Sequence, residues 1–365
     1  MRVVTIIGNR PQFVKAAAVS RRLRSRHDEV LVHSGQHYDD ELSAVFFREL
    51  DLPAPDIELG VGSGSDSEQV ARIMHALEQV TGELGASAVL VYGDTNTTLA
   101  GALSAAKLGL PLVHVEAGMR SFDGTMPEER NRVITDHLAD LLLCSTPQAV
   151  DNLGAEGIDG GVRLVGDVMA DITLSALPIA QERSDALDRW DLDAGAYLLV
   201  TAHRAGNVDD DEPLEKLVEV LEALPSRAVF PVHPRTRARM EKTGALSRLE
   251  AAQHLTLTPP LGYLDFLNLL ANSAAVLTDS GGVQKEAYLV EVPCITLRER
   301  TEWVETVELG WNRLVGLDRE RALDALDHLE APASHPELYG GGRAGELVVN
   351  AIDVWAGAGG PGRRQ

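Results

Sequence analysis

Short apolar segments rich in Val, Ile and Leu alternate with longer segments of helical periodicity along nearly the whole chain. This alternation is typical of βαβ units, in which parallel strands are buried beneath helices on both faces. The chain has 365 residues, which exceeds the usual size of a single hydrophobic core. The pattern therefore predicts an α/β fold with two domains, each built on a doubly wound parallel sheet.

The predicted strands form two series. The first comprises residues 3–7, 30–33, 88–92, 112–115, 141–144 and 162–165, and the second comprises residues 197–202, 228–232, 255–257, 275–278 and 293–297. Between the series the pattern becomes helical and charged, which indicates a hinge. We expect a first domain at residues 1–168 and a second at 169–343. At 344–365 we expect a helix that crosses back to the first domain, followed by a disordered tail.

Composition excludes several classes of partner. A formal net charge of −22 argues against a nucleic-acid ligand, which needs a basic surface. No apolar segment is long enough for a membrane span or a signal peptide, so we expect a cytoplasmic protein with no membrane partner. Cys144 and Cys294 lie in apolar strands and predict buried free thiols in a reducing compartment.

In open parallel sheets, ligands bind at the carboxyl ends of the strands. The first strand is followed by Gly-Asn-Arg-Pro-Gln, which contains Arg10, and Lys15 comes one turn into the next helix. A guanidinium and an ammonium at a helix start predict an anion site. An ordinary βα turn with two solvated cations is the structural alternative.

Three acids follow strands or begin helices of the first domain: Asp94, Glu116 and Glu128. Each has a structural alternative: Asp94 could cap a helix, Glu116 could pair with Arg120, and Glu128 could complement a helix dipole. Together in one cleft they would shift one another's protonation, so that acid and base forms coexist near neutral pH. We expect them to carry out proton transfer.

The second domain offers groups for an anionic ligand. His203, Arg204 and His233 end two strands, although His233 is equally compatible with a structural role. Thr-Asp-Ser-Gly-Gly-Val-Gln-Lys-Glu joins the end of a strand to the start of a helix. Backbone amides of Ser280, Gly281 and Gly282 can hold a diphosphate there, and Glu286 suits ribose hydroxyls.

These motifs occur in the order Gly-Asn-Arg-Pro-Gln, Tyr-Gly-Asp-Thr-Asn-Thr-Thr, His-Val-Glu-Ala-Gly-Met-Arg, Pro-Glu-Glu-Arg-Asn-Arg, Thr-Ala-His-Arg and Thr-Asp-Ser-Gly-Gly-Val-Gln-Lys-Glu. In that order the chain closely resembles the non-hydrolysing UDP-N-acetylglucosamine 2-epimerase family over nearly its full length. The resemblance implies a GT-B architecture, with two Rossmann-like domains and the active site in the cleft between them. It also implies a UDP-sugar substrate, an isomerase reaction without a cofactor or a metal, and a homodimer.

The resemblance assigns roles to individual residues. The catalytic set is Asp94, Glu116, Glu128 and His203. The set expected to bind substrate or UDP is Arg10, Lys15, Arg204, His233, Phe266, Ser280, Gly281, Gly282, Glu286 and Arg298. Gln36, His37 and Arg72 match the region in which bacterial members bind a second, activating substrate molecule.

The chain departs from the family pattern in one segment of the second domain. Many bacterial members carry Thr-Glu-Arg-Pro-Glu where this chain has Thr301-Glu302-Trp303-Val304-Glu305. A guanidinium is therefore absent at Trp303, and we expect Arg298 or Arg300 to replace it. The alternatives that the sequence leaves open are an epimerase of a modified UDP-hexosamine, a hydrolysing 2-epimerase, a GT-B glycosyltransferase and a non-catalytic nucleotide-sugar sensor.

Overall fold

The computed structural model describes residues 1–35, 53–62 and 64–358. The chain divides into two compact units and passes between them twice. The first unit comprises Met1–Ile172 and Glu337–Gln365, and the second comprises Thr173–Pro336. The tail at residues 359–365 lies outside the described part of the chain.

The first unit is built on a seven-stranded parallel sheet with the order β3-β2-β1-β4-β5-β6-β7. Its strands are β1 (Arg2–Ile7), β2 (Asp28–His33), β3 (Ile57–Glu58), β4 (Ala88–Tyr92), β5 (Leu112–Ala117), β6 (Leu141–Cys144) and β7 (Val162–Leu164). Every residue of the central strand β4 is buried, because helices cover both faces of the sheet. The two-residue edge strand β3 was not predicted.

The helices of this unit are α1 (Arg10–Arg24), α2 (Asp66–Leu84), α3 (Asn96–Leu108), α4 (Pro127–Leu138), α5 (Pro147–Ala155), the first residues of α6 (Val168–Arg183), and α16 (Ala344–Gly357). The last helix packs against α1. A Cβ on Gly345 would lie 2.3 Å from the carbonyl oxygen of Ala18, so this approach requires glycine. Asp171 accepts the amides of Ala344 and Gly345, each at 2.8 Å, and so caps α16.

The second unit is built on a six-stranded parallel sheet with the order β10-β9-β8-β11-β12-β13. Its strands are β8 (Leu198–Thr201), β9 (Ala228–Pro231), β10 (Leu255–Thr258), β11 (Ala275–Thr278), β12 (Cys294–Thr296) and β13 (Asn312–Leu314). Its core lies where aliphatic side chains of β8, β9 and β11 meet those of the covering helices. Only the edge strand β13 lacked a sequence prediction.

The helices of the second unit are the remainder of α6, α7 (Ala186–Arg189), α8 (Ala205–Val208), α9 (Asp211–Glu222), α10 (Pro234–Thr243), α11 (Ala245–Ala251), α12 (Tyr263–Ala271), α13 (Gly281–Leu289), α14 (Val304–Glu308) and α15 (Arg319–Asp327). The predicted α/β class with two parallel sheets is confirmed. Among the described residues, no helix combines the length and apolarity needed to cross a membrane.

Candidate active site

The turn after β4 leaves the carboxylate of Asp94 available for a contact other than capping. The residue that caps α3 is Thr95, whose hydroxyl accepts the amide of Thr98 in a reciprocal capping box. Asp94 instead accepts two hydrogen bonds from Arg132, at 2.9 Å from Nε and 2.6 Å from the terminal nitrogen, on the same oxygen. The capping alternative for Asp94 is therefore not what the structure shows.

Glu116 stands at a break in the sheet. The pairing of β5 with β6 shifts in register between Val115 and Ala117, and Glu116 between them has a φ of 70°. A bulge with a left-handed residue aims a side chain away from the regular alternation of the strand, at a cost that is typical of functional sites. Only about a tenth of the Glu116 side chain is exposed, and it forms an ion pair with Lys15.

Gly93 makes room for this ion pair. A Cβ at position 93 would lie 2.8 Å from Nζ of Lys15 and 3.3 Å from Oε2 of Glu116, and the residue has a φ of 63°. Glycine is thus required by both space and backbone conformation. The Lys15–Glu116 pair consequently lies directly against the residue that precedes Asp94.

A buried network supports the same turn. Nδ1 of His114 lies 2.7 Å from Oδ1 of Asp136, and Nε2 lies 2.8 Å from the carbonyl oxygen of Gly93. Arg120 donates to the other oxygen of Asp136 at 2.7 Å and also binds Glu156. Arg120 therefore pairs with Asp136 and Glu156. The structural alternative for Glu116 had instead expected a pair between Glu116 and Arg120.

The charge state of Asp136 follows from these contacts. Burial alone would raise the pKa of this carboxyl, but the charges and hydrogen bonds of His114 and Arg120 outweigh burial and lower it below its ordinary value. Asp136 is completely buried and also accepts the amide of Gly118 at 3.0 Å. It thus holds the side chain of His114 before Glu116 and the backbone amide of Gly118 after it.

The two acids that begin α4 differ in their surroundings. Glu128 is exposed in the first turn, whereas Glu129 is buried and accepts the amides of Ser121 and Phe122 and a bond from Arg132. Burial would raise the pKa of Glu129, but these donors lower it. Glu129 therefore holds the segment before α4 in place, while the side chain of Glu128 is exposed.

In the second unit, Asp279 organises the end of β8. It is completely buried and accepts the amides of His203 at 3.0 Å and Arg204 at 2.9 Å, together with the side chain of Asn207 at 3.2 Å. Nδ1 of His203 lies 3.5 Å from the same carboxylate. Because the amides are fixed, the imidazole of His203, whose side chain is 47% exposed, leaves the strand end in a defined direction.

His233 has a contact that accounts for a structural role. Its Nδ1 accepts the amide of Arg235 at 3.2 Å, which caps α10, and Pro234 occupies the first position of that helix. The rings of His203 and His233 have centroids 6.1 Å apart. His233 therefore contributes through Nδ1 to the start of α10.

The turn between β11 and α13 contains the predicted diphosphate cradle. Ser280 is the N-cap of α13 and its amide donates to Thr278 at 3.0 Å. A Cβ on Gly281 or Gly282 would meet neighbouring atoms no closer than 3.5 Å, and neither residue has a positive φ. Neither the space nor the backbone conformation therefore requires glycine at these two positions.

Three further predicted contacts lie in the same unit. Glu286 is 6% exposed on α13, and Phe266 is half-buried against the apolar cluster around Leu269. Arg298 forms two hydrogen bonds with Glu302, both at 3.1 Å. The guanidinium expected to replace the missing arginine at Trp303 is thus engaged with the neighbouring acid.

Of the residues expected to bind an activating substrate molecule, Arg72 lies in the described part of the chain. Gln36 and His37 lie outside the described residues, as does the side chain of Arg10. Arg72 donates to the carbonyl oxygen of Val61 at 3.0 Å and lies 3.8 Å from Glu68. These two contacts are with the loop that precedes its helix and with the helix itself.

Sequence reasoning missed Arg132, Asp136 and Asp279. Arg132 and Asp279 belong to motifs that predicted a site, but functional roles were assigned to neighbouring residues in those motifs. An isolated Asp after a strand and an Arg in a helix also have many structural explanations. The signal that could have drawn attention to Asp279 is its position between a buried strand and the glycines of the turn.

Comparison with known proteins agrees with this geometry. The profile of a family described as UDP-N-acetylglucosamine 2-epimerase matches residues 21–353. A Methanococcus maripaludis protein described as a UDP-N-acetylglucosamine 2-epimerase homolog is 45% identical, over 97% of this chain and 99% of its own length. The UDP-2,3-diacetamido-2,3-dideoxy-D-glucuronate 2-epimerase of Pseudomonas aeruginosa is 42% identical, over 96% of this chain and 99% of its own length.

Solved structures show the same fold. The crystal structure of Methanocaldococcus jannaschii UDP-GlcNAc 2-epimerase in complex with UDP-GlcNAc and UDP matches with a TM-score of 0.89 and 39% identity. The match covers 97% of this chain and all of that chain (100%). The fold is therefore α/β of the GT-B type, and the resemblance inferred from the motifs is confirmed. The chain belongs to the UDP-N-acetylglucosamine 2-epimerase family, whose members are isomerases.

Proposed function

We propose that the chain is a non-hydrolysing 2-epimerase that interconverts UDP-GlcNAc and UDP-ManNAc. The observation that carries the proposal is Glu116, a left-handed residue at a bulge, paired with Lys15 beside the turn that leads to Asp94. An ammonium partner favours the ionised carboxylate, which is the form that accepts a proton. Strain and a buried charge are otherwise costly, so their combination at strand ends favours a catalytic role.

In the proposed reaction a carboxylate takes the proton from C2 of the sugar. The electrons of the C–H bond form the C1–C2 double bond, and the C1–O bond breaks with its electron pair leaving on UDP. The products of this half-reaction are UDP and 2-acetamidoglucal. UDP then attacks C1 again while an acid returns a proton to the other face of C2, which inverts that centre.

We assign proton transfer at C2 to residues of the first unit and nucleotide binding to the second. Glu116, Asp94 and Glu128 are the proposed acids and bases. Asp94 shares Arg132 with Glu129, which holds it in place. With Glu116 and Asp94 both fixed by cations, one carboxylate can serve each face of the sugar.

The second unit is proposed to hold UDP. The amides of Gly281 and Gly282 at the start of α13 are proposed to donate to the diphosphate, because the helix dipole favours an anion there, while the amide of Ser280 donates to Thr278. His203, fixed through Asp279, is proposed to stabilise the negative charge that develops on the leaving diphosphate. The crystallised Methanocaldococcus relative was obtained with UDP and UDP-GlcNAc, which supports this class of ligand.

Exchange with solvent tests the reaction directly. UDP-GlcNAc incubated with the enzyme in D2O should give both epimers with deuterium at C2, detected by proton NMR. Epimerisation in which C2 keeps protium and gains no deuterium would contradict proton transfer to the acids. Accumulation of UDP and free ManNAc in equal amounts would instead assign the chain to the hydrolysing branch.

A second candidate is the same reaction on a modified sugar. The Pseudomonas relative, at 42% identity, is named for a diacetamido glucuronate, and the Methanococcus relative at 45% is described only as a homolog. Comparing kcat/KM for UDP-GlcNAc and for the UDP-linked diacetamido glucuronate separates the two. A preference of at least about a hundredfold for the uronate, roughly 2.7 kcal/mol, would favour the second candidate.

A further inference from the structure

A buried lysine faces an aromatic ring close to the start of α13. Nζ of Lys285 lies 4.0 Å from the ring centroid of Trp303, and the two residues are 2% and 5% exposed. Trp303 occupies the position at which a guanidinium was expected. An ammonium stacked on an indole is a strong form of cation–π contact when both groups are removed from water.

The indole is held by a chain of hydrogen bonds that begins on the same helix. Oε1 of Gln284 accepts the hydroxyl of Thr301 at 2.6 Å, and that hydroxyl accepts the amide of Trp303 at 3.1 Å. Asn312 donates to the same oxygen of Gln284 at 3.0 Å. These residues are buried, so the segment of Trp303 has a fixed position relative to α13.

The Nε1 atom of the indole lies close to the glycine turn. A Cβ on Gly281 would lie 3.5 Å from Nε1 of Trp303 and 3.7 Å from Oε2 of Glu302. The charge of Glu302 is compensated by the two bonds from Arg298. The same indole thus contacts the Lys285 ammonium and lies beside the turn, while Glu302 has its own cation in Arg298.

We propose that Lys285 and Trp303 are positioning residues for a nucleoside diphosphate bound at the Gly281–Gly282 turn. Lys285 supplies the positive charge that the residue at position 303 does not carry, and Trp303 holds that charge next to the turn. The inference rests on the proposed function, because that function places the diphosphate there. It also explains why neither Arg298 nor Arg300 is needed: the first binds Glu302 and the second is exposed.

Calorimetric titration of the full chain with UDP tests the pair. Lys285→Met removes the charge at similar length and Trp303→Leu removes the aromatic face, and each should weaken UDP binding about fivefold. Lys285→Arg and Trp303→Phe keep a cation and a ring and should retain most of the affinity. A merely structural role would make the bulkier Lys285→Arg at least as harmful as Lys285→Met.

Controls separate this inference from general damage to the unit. Trp311→Phe is the matched variant, because Trp311 is equally buried but packs on Tyr288 and His335, and its UDP affinity should equal that of wild type. The double variant of Lys285→Met with Trp303→Leu should bind no more weakly than the weaker single variant. Thermal melting identifies any variant that is unfolded. If Lys285→Met or Trp303→Leu is unfolded, the UDP affinities of Lys285→Arg and Trp303→Phe are compared with that of wild type.

The outcomes also distinguish this inference from the proposed function. Wild type that binds UDP and epimerises, with Lys285→Met and Trp303→Leu binding normally, overturns the pair alone. Additive losses in the double variant overturn the joint role as well. Wild type that binds UDP without epimerising, with the variants weakened as expected, supports the pair and contradicts the proposed function. Absence of UDP binding by wild type overturns both.

Discussion

Asp136 binds His114 through Oδ1 and Nδ1 at 2.7 Å, and neither side chain is exposed to solvent. The other nitrogen of the ring faces the carbonyl oxygen of Gly93 at 2.8 Å. The imidazole thus links the buried carboxylate of Asp136 to the backbone that precedes Asp94. Arg120, whose side chain is 1% exposed, donates to the other oxygen of the same carboxylate.

Asp136→Asn should destabilise the first unit by about 3 kcal/mol, because it leaves the buried guanidinium of Arg120 without its buried anionic partner. Urea unfolding at neutral pH measures this loss. Asp151→Asn is the matched control, since Asp151 is exposed in α5. Equal stability of the two variants would contradict the role assigned to Asp136.

Acid should weaken the protein through the same carboxyl. The pKa of Asp136 is lower in the folded protein than in the unfolded chain, where an Asp titrates at about 3.9. The stabilisation from ionised Asp136 is therefore complete above the pKa of the unfolded chain. It is lost as pH falls through the lower pKa of the folded protein. The free energy of unfolding, measured from pH 7 down to pH 3, should fall less steeply in Asp136→Asn than in wild type.

Glu116→Gln should lower kcat by at least about a hundredfold and leave UDP affinity nearly unchanged, because the amide cannot accept the C2 proton. Lys15→Met should also reduce kcat, since Glu116 loses its cation. The variant with both changes should be no slower than Glu116→Gln if the two residues act as a unit. Steady-state kinetics with UDP calorimetry measure both quantities, and a normal kcat in Glu116→Gln would exclude it from catalysis.

Gly93→Ala should cost about 1–2 kcal/mol for the left-handed backbone and should in addition displace Lys15. We therefore expect a loss of activity larger than the loss of stability explains. Gly82→Ala in α2 is the control, because a Cβ there meets no atom within 4 Å and alanine favours a helix. Full activity in folded Gly93→Ala would show that the close approach of Lys15 is dispensable.

Asp279→Asn should reduce kcat/KM by about a hundredfold, because the amides of His203 and Arg204 and the side chain of Asn207 lose their shared carboxylate and His203 shifts. Epimerase kinetics and thermal melting measure catalysis and folding separately. Asp209→Asn serves for comparison, since Asp209 makes a surface ion pair with Arg235. Similar effects of the two changes would contradict a special role for Asp279.

The fold was largely predictable because its central strands are continuous apolar segments between turns. The predicted bounds of β4, β6 and β11 coincide with the observed ones. The edge strands β3 and β13 escaped prediction because they are only two and three residues long and mix polar with apolar side chains. At an edge, hydrogen bonding to one neighbour is enough to form a strand without an apolar signature.

The candidate site was predictable as a set of residue types and less so as a set of contacts. The ion pair of Lys15 with Glu116, which lies 101 residues away along the chain, was not predicted. The left-handed backbone of Glu116 also has no sequence signal, since glutamate is not a residue that favours that region. Such partners depend on how the strand ends meet, which periodicity does not encode.

The return of α16 to the first unit has a consequence for biosynthesis. A ribosome finishes the whole of the second unit before it makes the residues whose amides Asp171 caps. The second unit can therefore fold during translation, whereas the first must wait with one helical face of α1 uncovered. We infer that a nascent chain stalled after residue 336 exposes an apolar surface that a chaperone would recognise.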